Sequence, residues 1–215
     1  MRAFRFAGDV ERVLCVGAHS DDLEIGCAGT MLRLMELEHP PEVTWVVFSG
    51  PGVRGHEAQE GARALLAHAK SVDIRVEAFR DGFLPSQSAS IKEYFEGLKQ
   101  QVAPDLVLTH YRHDLHQDHR LISELTWNTF RDHVILEYEV PKYDGDFGTP
   151  NVYVPLDETH CQKKIDILLT HFASQRDRRW FSEDLFRAIL RLRGMEANAP
   201  HGNAEAFYGR KVVLF

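Results

Sequence analysis

Arg12–Val16 reads RVLCV and runs straight into Gly17-Ala18-His19-Ser20-Asp21-Asp22. A short apolar run without alternation is the pattern of a strand covered on both faces. Working outward, Gly29–Glu38 has helical spacing, with Met31, Leu34, Met35 and Leu37 as its apolar positions. Val43–Phe48 (VTWVVF) reads as a second strand, the Ala/Leu-rich Glu57–Ala69 as a helix, and Ile74–Phe79 as a third strand. A helix near Ile91–Gln101 follows, and Pro104 opens a fourth strand at Asp105–Thr109. The order βαβαβαβ implies an α/β fold with a mainly parallel sheet and helices on both faces. Val134–Tyr138 reads as a fifth strand, the Gly/Pro-dense Pro141–Pro150 as a loop and Asn151–Pro155 as extended chain. Helices are expected near Glu158–Phe172 and Phe181–Arg193, with a last strand at Lys211–Phe215. No repeat, low-complexity segment or linker interrupts this order, so residues 1–215 read as one domain.

Composition sets outer bounds. The chain has 215 residues, 44% hydrophobic and 27% charged, within the ordinary globular range. A net charge of −7 argues against a nucleic-acid partner. Residues 1–12 (MRAFRFAGDVER) carry no apolar signal-peptide core, and no run approaches the roughly 20 apolar residues that span a bilayer. The chain therefore reads as cytoplasmic, with no membrane partner. Its three cysteines are odd in number and lack zinc-finger spacing, which fits reduced thiols. Cys15 reads as core; Cys27, close to the His/Asp stretch, is a weaker candidate nucleophile.

In an open α/β sheet, ligands bind beyond the carboxyl ends of the strands. Strand one ends in His19-Ser20-Asp21-Asp22, strand two in Ser49-Gly50-Pro51-Gly52, and strand three in Arg80-Asp81-Gly82. Strand four ends at His110 and continues through His113, His116, Asp118 and His119. Polar loops are common, but two separate strand ends both rich in His and Asp call for more. An imidazole and a carboxylate three residues apart can meet one metal from a tight turn. Adjacent carboxylates diverge, so one of Asp21 and Asp22 joins His19 at the ion and the other stays free. A histidine from the second strand end completes three ligands, leaving a fourth position for water. Zinc lowers the pKa of such a water to roughly 7, and the free carboxylate can accept its proton. The residues alone do not choose between Asp21 and Asp22.

Gly17–Gly29 (GAHSDDLEIGCAG) resembles the AHPDD signature of the PIG-L/LmbE-like deacetylases, and His116-Gln117-Asp118-His119 resembles their His-x-Asp-His motif. Pro104–Thr109 and Ala204–Phe207 extend the resemblance over most of the chain. Ser20 stands where proline is usual; it changes turn rigidity and removes no ligand. The resemblance implies a Rossmann-like three-layer sandwich and a zinc-dependent hydrolase that removes an N-acetyl group from an N-acetylglucosamine-like amino sugar or its conjugate. It implies His19, Asp22 and His119 as zinc ligands and Asp21 as general base. It also implies that His116 stabilises the oxyanion or protonates the leaving amine. Other divalent transition metals fit the same donors.

Further candidates surround this set. Arg54, after the Gly-Pro-Gly stretch, and Asp81 are expected to bind substrate. Asp118 is expected to orient a histidine from behind the ligands. His110 and His113 are alternative ligands. Glu24 either ligates or braces the turn through backbone N–H groups. Glu57 suits a helix start, where the macrodipole favours an acid. Tyr143 and Phe147 either stack on a sugar ring or anchor their loop. Ser174, Gln175 and Glu205 read as supporting residues, and Arg176–Arg179 as a solvated basic run. A non-catalytic metal- or sugar-binding module is the alternative function, but such a module has no need of a free carboxylate. A nucleotide-binding oxidoreductase is disfavoured because Gly26 and Gly29 do not form G-x-G-x-x-G after strand one.

Overall fold

The computed structural model describes residues 10–213. Seven strands form one sheet in the order β3-β2-β1-β4-β5-β7-β6. The parallel part comprises β1 (Arg12–His19), β2 (Glu42–Ser49), β3 (Ser71–Val76), β4 (Leu106–His110) and β5 (Val134–Tyr138). β7 (Asn203–Gly209) runs antiparallel to β5, and β6 (Val152–Leu156) antiparallel to β7.

Alternation along the inner strands divides the core in two. Val13, Cys15, Trp45, Val47 and Leu108 face one layer, built by α1 (Asp22–Met35), α2 (Val53–Leu65), α5 (Glu158–His171) and α6 (Glu183–Glu196). Leu14, Val16, Val46, Phe48 and Val107 face the other, where α3 (Ser88–Gln101) and α4 (Gln117–Thr129) pack. The result is the expected three-layer α/β sandwich with a mainly parallel sheet. No described helix is long and apolar enough to cross a membrane.

Three departures from the sequence expectations bear on the site. First, α1 begins at Asp22, not Gly29, with Asp22 and Glu24 in its first turn. Its glycines mask this helix in the sequence, yet packing requires them: a Cβ on Gly26 would lie 2.2 Å from Tyr138 Cδ2, and one on Gly29 would lie 2.4 Å from Leu156 Cδ1. Second, α4 has no counterpart among the expected elements; it starts inside the His/Asp-rich run, where polar residues hide its periodicity. Third, Lys211–Val213 is not a strand, and residues 214–215 lie outside the described residues. The last strand is Asn203–Gly209, whose small Ala204 and Ala206 flanking Glu205 give no apolar run to read.

Candidate active site

The carboxyl edge of the sheet gathers the titratable residues. His19 closes β1, Asp21 caps α1, His116 caps α4, and His119 lies in the first turn of α4. β1 and β4 are parallel neighbours, so chain segments 100 residues apart meet there. His19 Nδ1 stands 3.1 Å from His119 Nε2. Asp22 completes the triangle, with Oδ2 3.3 Å from His19 Nδ1 and Oδ1 3.4 Å from His119 Nε2. Donors about 2.1 Å from a tetrahedral ion stand roughly 3.4 Å apart, close to these distances, with each imidazole facing a different Asp22 oxygen. A nitrogen of His116 also groups with those of His19 and His119 within 4.8 Å.

The electrostatics suit a cation as well. Burial opposes charge on His19, but Asp22, Asp118 and Asp81 outweigh it and push the imidazole pKa well above its usual range. Burial likewise works against an ionised Asp22, yet His119, His110 and His19 hold that carboxyl well below its usual range. Burial, followed by His110, pushes the His119 pKa down to about 4. Asp21 differs from its neighbour: burial and then Asp22 push it up to about 6. Its Oδ2 is buried and has no hydrogen-bond partner, while Oδ1 lies 3.8 Å from Arg54 Nη2.

Carboxylates hold the imidazoles from behind. Asp114 Oδ2 lies 2.9 Å from His119 Nδ1, which leaves Nε2 facing Asp22 and His19. Lys142 Nζ donates to the same Asp114 oxygen at 2.8 Å. Asp118 Oδ2 lies 3.1 Å from His19 Nε2 and accepts the Gly82 N–H at 2.8 Å, while Oδ1 accepts the Leu84 N–H at 3.1 Å. Asp118 therefore joins the third strand end to the first. Asp114 was not among the expected site residues. The only signal for it was its place in the same His/Asp-rich run.

His116 Nδ1 accepts the Asp118 N–H at 3.3 Å, which leaves Nε2 as the ring's donor. Burial and then the charge on His19 lower the His116 pKa, so the ring offers this donor while neutral. Arg54 pairs with Asp81, and Asp81 Oδ1 lies 3.2 Å from His19 Nε2. These two expected substrate residues thus stand at the rim of the centre.

Among the alternatives, His110 keeps the geometry of a ligand: its ring groups with Asp22 and His119 within 4.8 Å. His110 is fully buried beneath the centre, its ring stacked on His119 at 3.9 Å between centroids. Its Nε2 lies 3.2 Å from Asp22 Oδ2 and accepts the Ala18 N–H at 2.9 Å. His113 is exposed beside Tyr111, away from the three-donor cluster. Glu24 does not brace its turn: both oxygens are buried without a hydrogen-bond partner. Glu57 accepts the Ser174 N–H at 2.8 Å, which fixes α2 to the turn after α5. Cys27 is buried in α1 with its thiol 3.2 Å from the Leu23 carbonyl, and burial raises its pKa well above the thiol range, which removes it as a nucleophile.

Comparison with known proteins identifies the family. Residues 14–130 match the family described as PIG-L, GlcNAc-PI de-N-acetylase. The Escherichia coli (strain K12) protein named "Uncharacterized deacetylase YaiS" is 26% identical over 168 residues, with 74% of this chain and 89% of that one covered. The N,N'-diacetylchitobiose deacetylase of Pyrococcus horikoshii, solved with its inhibitor MPG, shares the fold with a TM-score of 0.66 at 21% identity, over 94% of this chain and 84% of that one. GalB of Pseudomonas putida KT2440, a 4-carboxy-2-hydroxymuconate hydratase, matches with a TM-score of 0.71 at 15% identity, over 95% and 98%. A deacetylase and a hydratase on one fold mean that the reaction must be argued from the site.

Proposed function

The chain belongs to the PIG-L family, and from that premise we propose that it is a zinc-dependent hydrolase that removes the acetyl group from an N-acetylglucosamine-like amino sugar or its conjugate. One observation carries the reading: a buried carboxylate oxygen without a partner, Asp21 Oδ2, beside a three-donor cluster. His19, Asp22 and His119 would hold the metal, which when bound polarises the amide carbonyl and acidifies water.

The chain's own groups supply the rest. Asp21 takes a proton from the attacking water as the water oxygen bonds to the acetyl carbon. Its raised pKa makes it a stronger base than an exposed aspartate. His116 donates from Nε2 to the former carbonyl oxygen, where negative charge develops. The C–N bond then breaks, and the amine takes up the proton that Asp21 accepted. Asp114 and Asp118 keep His119 and His19 in place. Arg54 and Asp81 face the incoming sugar and hydrogen-bond its hydroxyls.

The same metal and base would also suit hydration of a double bond, as the GalB fold match allows. A non-catalytic binding module would have no use for Asp21. The test is a set of N-acetylated amino sugars given to zinc-loaded protein, with both acetate and free amine measured. Equimolar acetate and amine are expected, with a loss on the order of 10²–10⁴-fold in Asp21→Asn at unchanged metal content. Binding without release of acetate would overturn the reading.

A further inference from the structure

Asp114 has two contacts behind the metal centre. Its Oδ2 meets His119 Nδ1 at 2.9 Å, and its Oδ1 accepts the His116 N–H at 2.7 Å. One carboxylate thus fixes the ring of a proposed ligand and the backbone of the residue that caps α4. The side chain of Asp114 is only 3% exposed, and a carboxylate so placed needs a counter-charge.

That charge comes from Lys142, in the loop that follows β5. Its ammonium lies 2.8 Å from Asp114 Oδ2 and 2.7 Å from Asp146 Oδ2. Asp146 in turn accepts the Leu115 N–H at 2.6 Å, one residue past Asp114. Asp146 is also buried, and among the described residues Lys142 is the one lysine or arginine paired with either carboxylate. A lysine in an exposed ion pair adds little. This one is 11% exposed, has lost most of its hydration, and stands between two like charges. Two buried carboxylates that touch one ammonium repel each other strongly once it is gone.

We propose that Lys142 is a positioning residue of the metal centre: its charge lets Asp114 stand behind His119 with Asp146 close by, and so sets how tightly the ion is held. The proposal rests on His19, Asp22 and His119 as the metal set and on no step of the reaction. The acceptor on Nδ1 fixes the orientation and tautomer of a ligating imidazole. Without the ammonium, Asp114 is pushed off Nδ1 and His119 loses that support. The loop reaches the ion in two steps, Lys142 to Asp114 and Asp114 to His119. A plain tether for the loop would use the same contacts, together with the bond from Lys142 Nζ to the Val140 carbonyl at 3.3 Å. The two roles part when Asp146 is changed as well.

The test measures zinc affinity by competition with a chromogenic chelator, and thermal melts of the zinc-free protein check folding. Lys142→Met should bind zinc about tenfold more weakly, the low end of the effect of losing support behind a ligand. Lys142→Met combined with Asp146→Asn should return to within about threefold of wild type, because the repulsion is gone and the Asn oxygen still accepts the Leu115 N–H. A tether predicts the reverse, a further loss in the double variant. Unchanged affinity in Lys142→Met, or a double variant that binds no better than the single one, overturns the proposal. If Lys142→Met does not fold, the double variant should still fold and bind zinc. A double variant that also fails to fold makes Lys142 a structural anchor and overturns the proposal. Wild-type protein that binds no zinc overturns the metal set itself, a failure distinct from an intact site that is indifferent to Lys142.

Discussion

Glu205→Ala should cost far more than a typical single substitution, because Glu205 is bonded to the helix that carries Asp22. Glu205 lies buried on β7 behind α1. It accepts the Gly29 N–H at 2.8 Å, the Thr30 N–H at 2.6 Å, the Thr30 hydroxyl at 2.6 Å and Lys164 Nζ at 2.7 Å. Lys164, itself buried, also donates to the Ile25 carbonyl. In a regular helix the Gly29 amide serves that carbonyl; here the two groups also meet the two members of a buried ion pair. Truncating Glu205 leaves Lys164 buried without its counter-charge and removes the acceptor of two amides and a hydroxyl. Breaking a buried pair in this way costs about 3–5 kcal/mol. At this chain length each kcal/mol is worth roughly 2–4 °C in Tm, so a loss on the order of 6–20 °C is expected. Lys164→Met should cost about half as much, since Glu205 keeps three neutral donors. Because Asp22 opens the same helix, Glu205→Ala should also weaken metal retention. Thermal unfolding and elemental analysis of both variants check this. A Tm loss below about 2 °C in Glu205→Ala, or a larger loss in Lys164→Met, would refute the reasoning.

His19→Ala and His119→Ala should each purify with less than about a tenth of the wild-type metal content, since three donors of this type are needed to hold the ion; elemental analysis decides, and full occupancy in both would exclude the site. Asp114→Asn should weaken metal affinity on the order of 10–100-fold by loosening His119, measured by chelator competition, with the fold intact. Arg54→Ala and Asp81→Ala should raise KM for the acetylated sugar and leave metal content unchanged; unaltered kinetics would return both to the surface. In metal-stripped protein, Asp21→Asn should be the more stable form above about pH 6. Asp21 has a folded pKa raised from 3.8 to about 6, so ionising it penalises the folded state as pH rises through that window. The gain approaches about 3 kcal/mol and vanishes toward pH 4; denaturant melts at pH 4 and pH 8 with equal midpoint differences would contradict it.

Strand positions were legible because strands covered on both faces leave apolar runs, as RVLCV and VTWVVF do in β1 and β2. The site was legible because catalytic chemistry uses rare residue types at strand ends, and His19, Asp22, His116 and His119 do converge. What stayed hidden depends on pairing across the fold. α4 was missed because its first turn is made of site residues, whose polarity overrides helical periodicity. Asp114 and Asp118 have the same side chain in the same run, yet one holds His119 and the other His19. Nothing local separates them, since the partner is set by the packing of β4 against β1.

Neutral or charged state is hidden for the same reason. Asp21 and Asp22 are adjacent, identical and both buried, yet one carboxyl is pushed up and the other held down. Three imidazoles from two strand ends crowd Asp22, while Asp21 is left with a guanidinium 3.8 Å away and one unpartnered oxygen. A ligand must be ionised to hold a cation, and a base must be able to take a proton near neutral pH. In the proposed mechanism those duties fall to two neighbours, Asp22 as ligand and Asp21 as base, whose surroundings differ in the sense each duty requires. On that proposal an Asp-Asp pair serves both duties where a single aspartate would serve one.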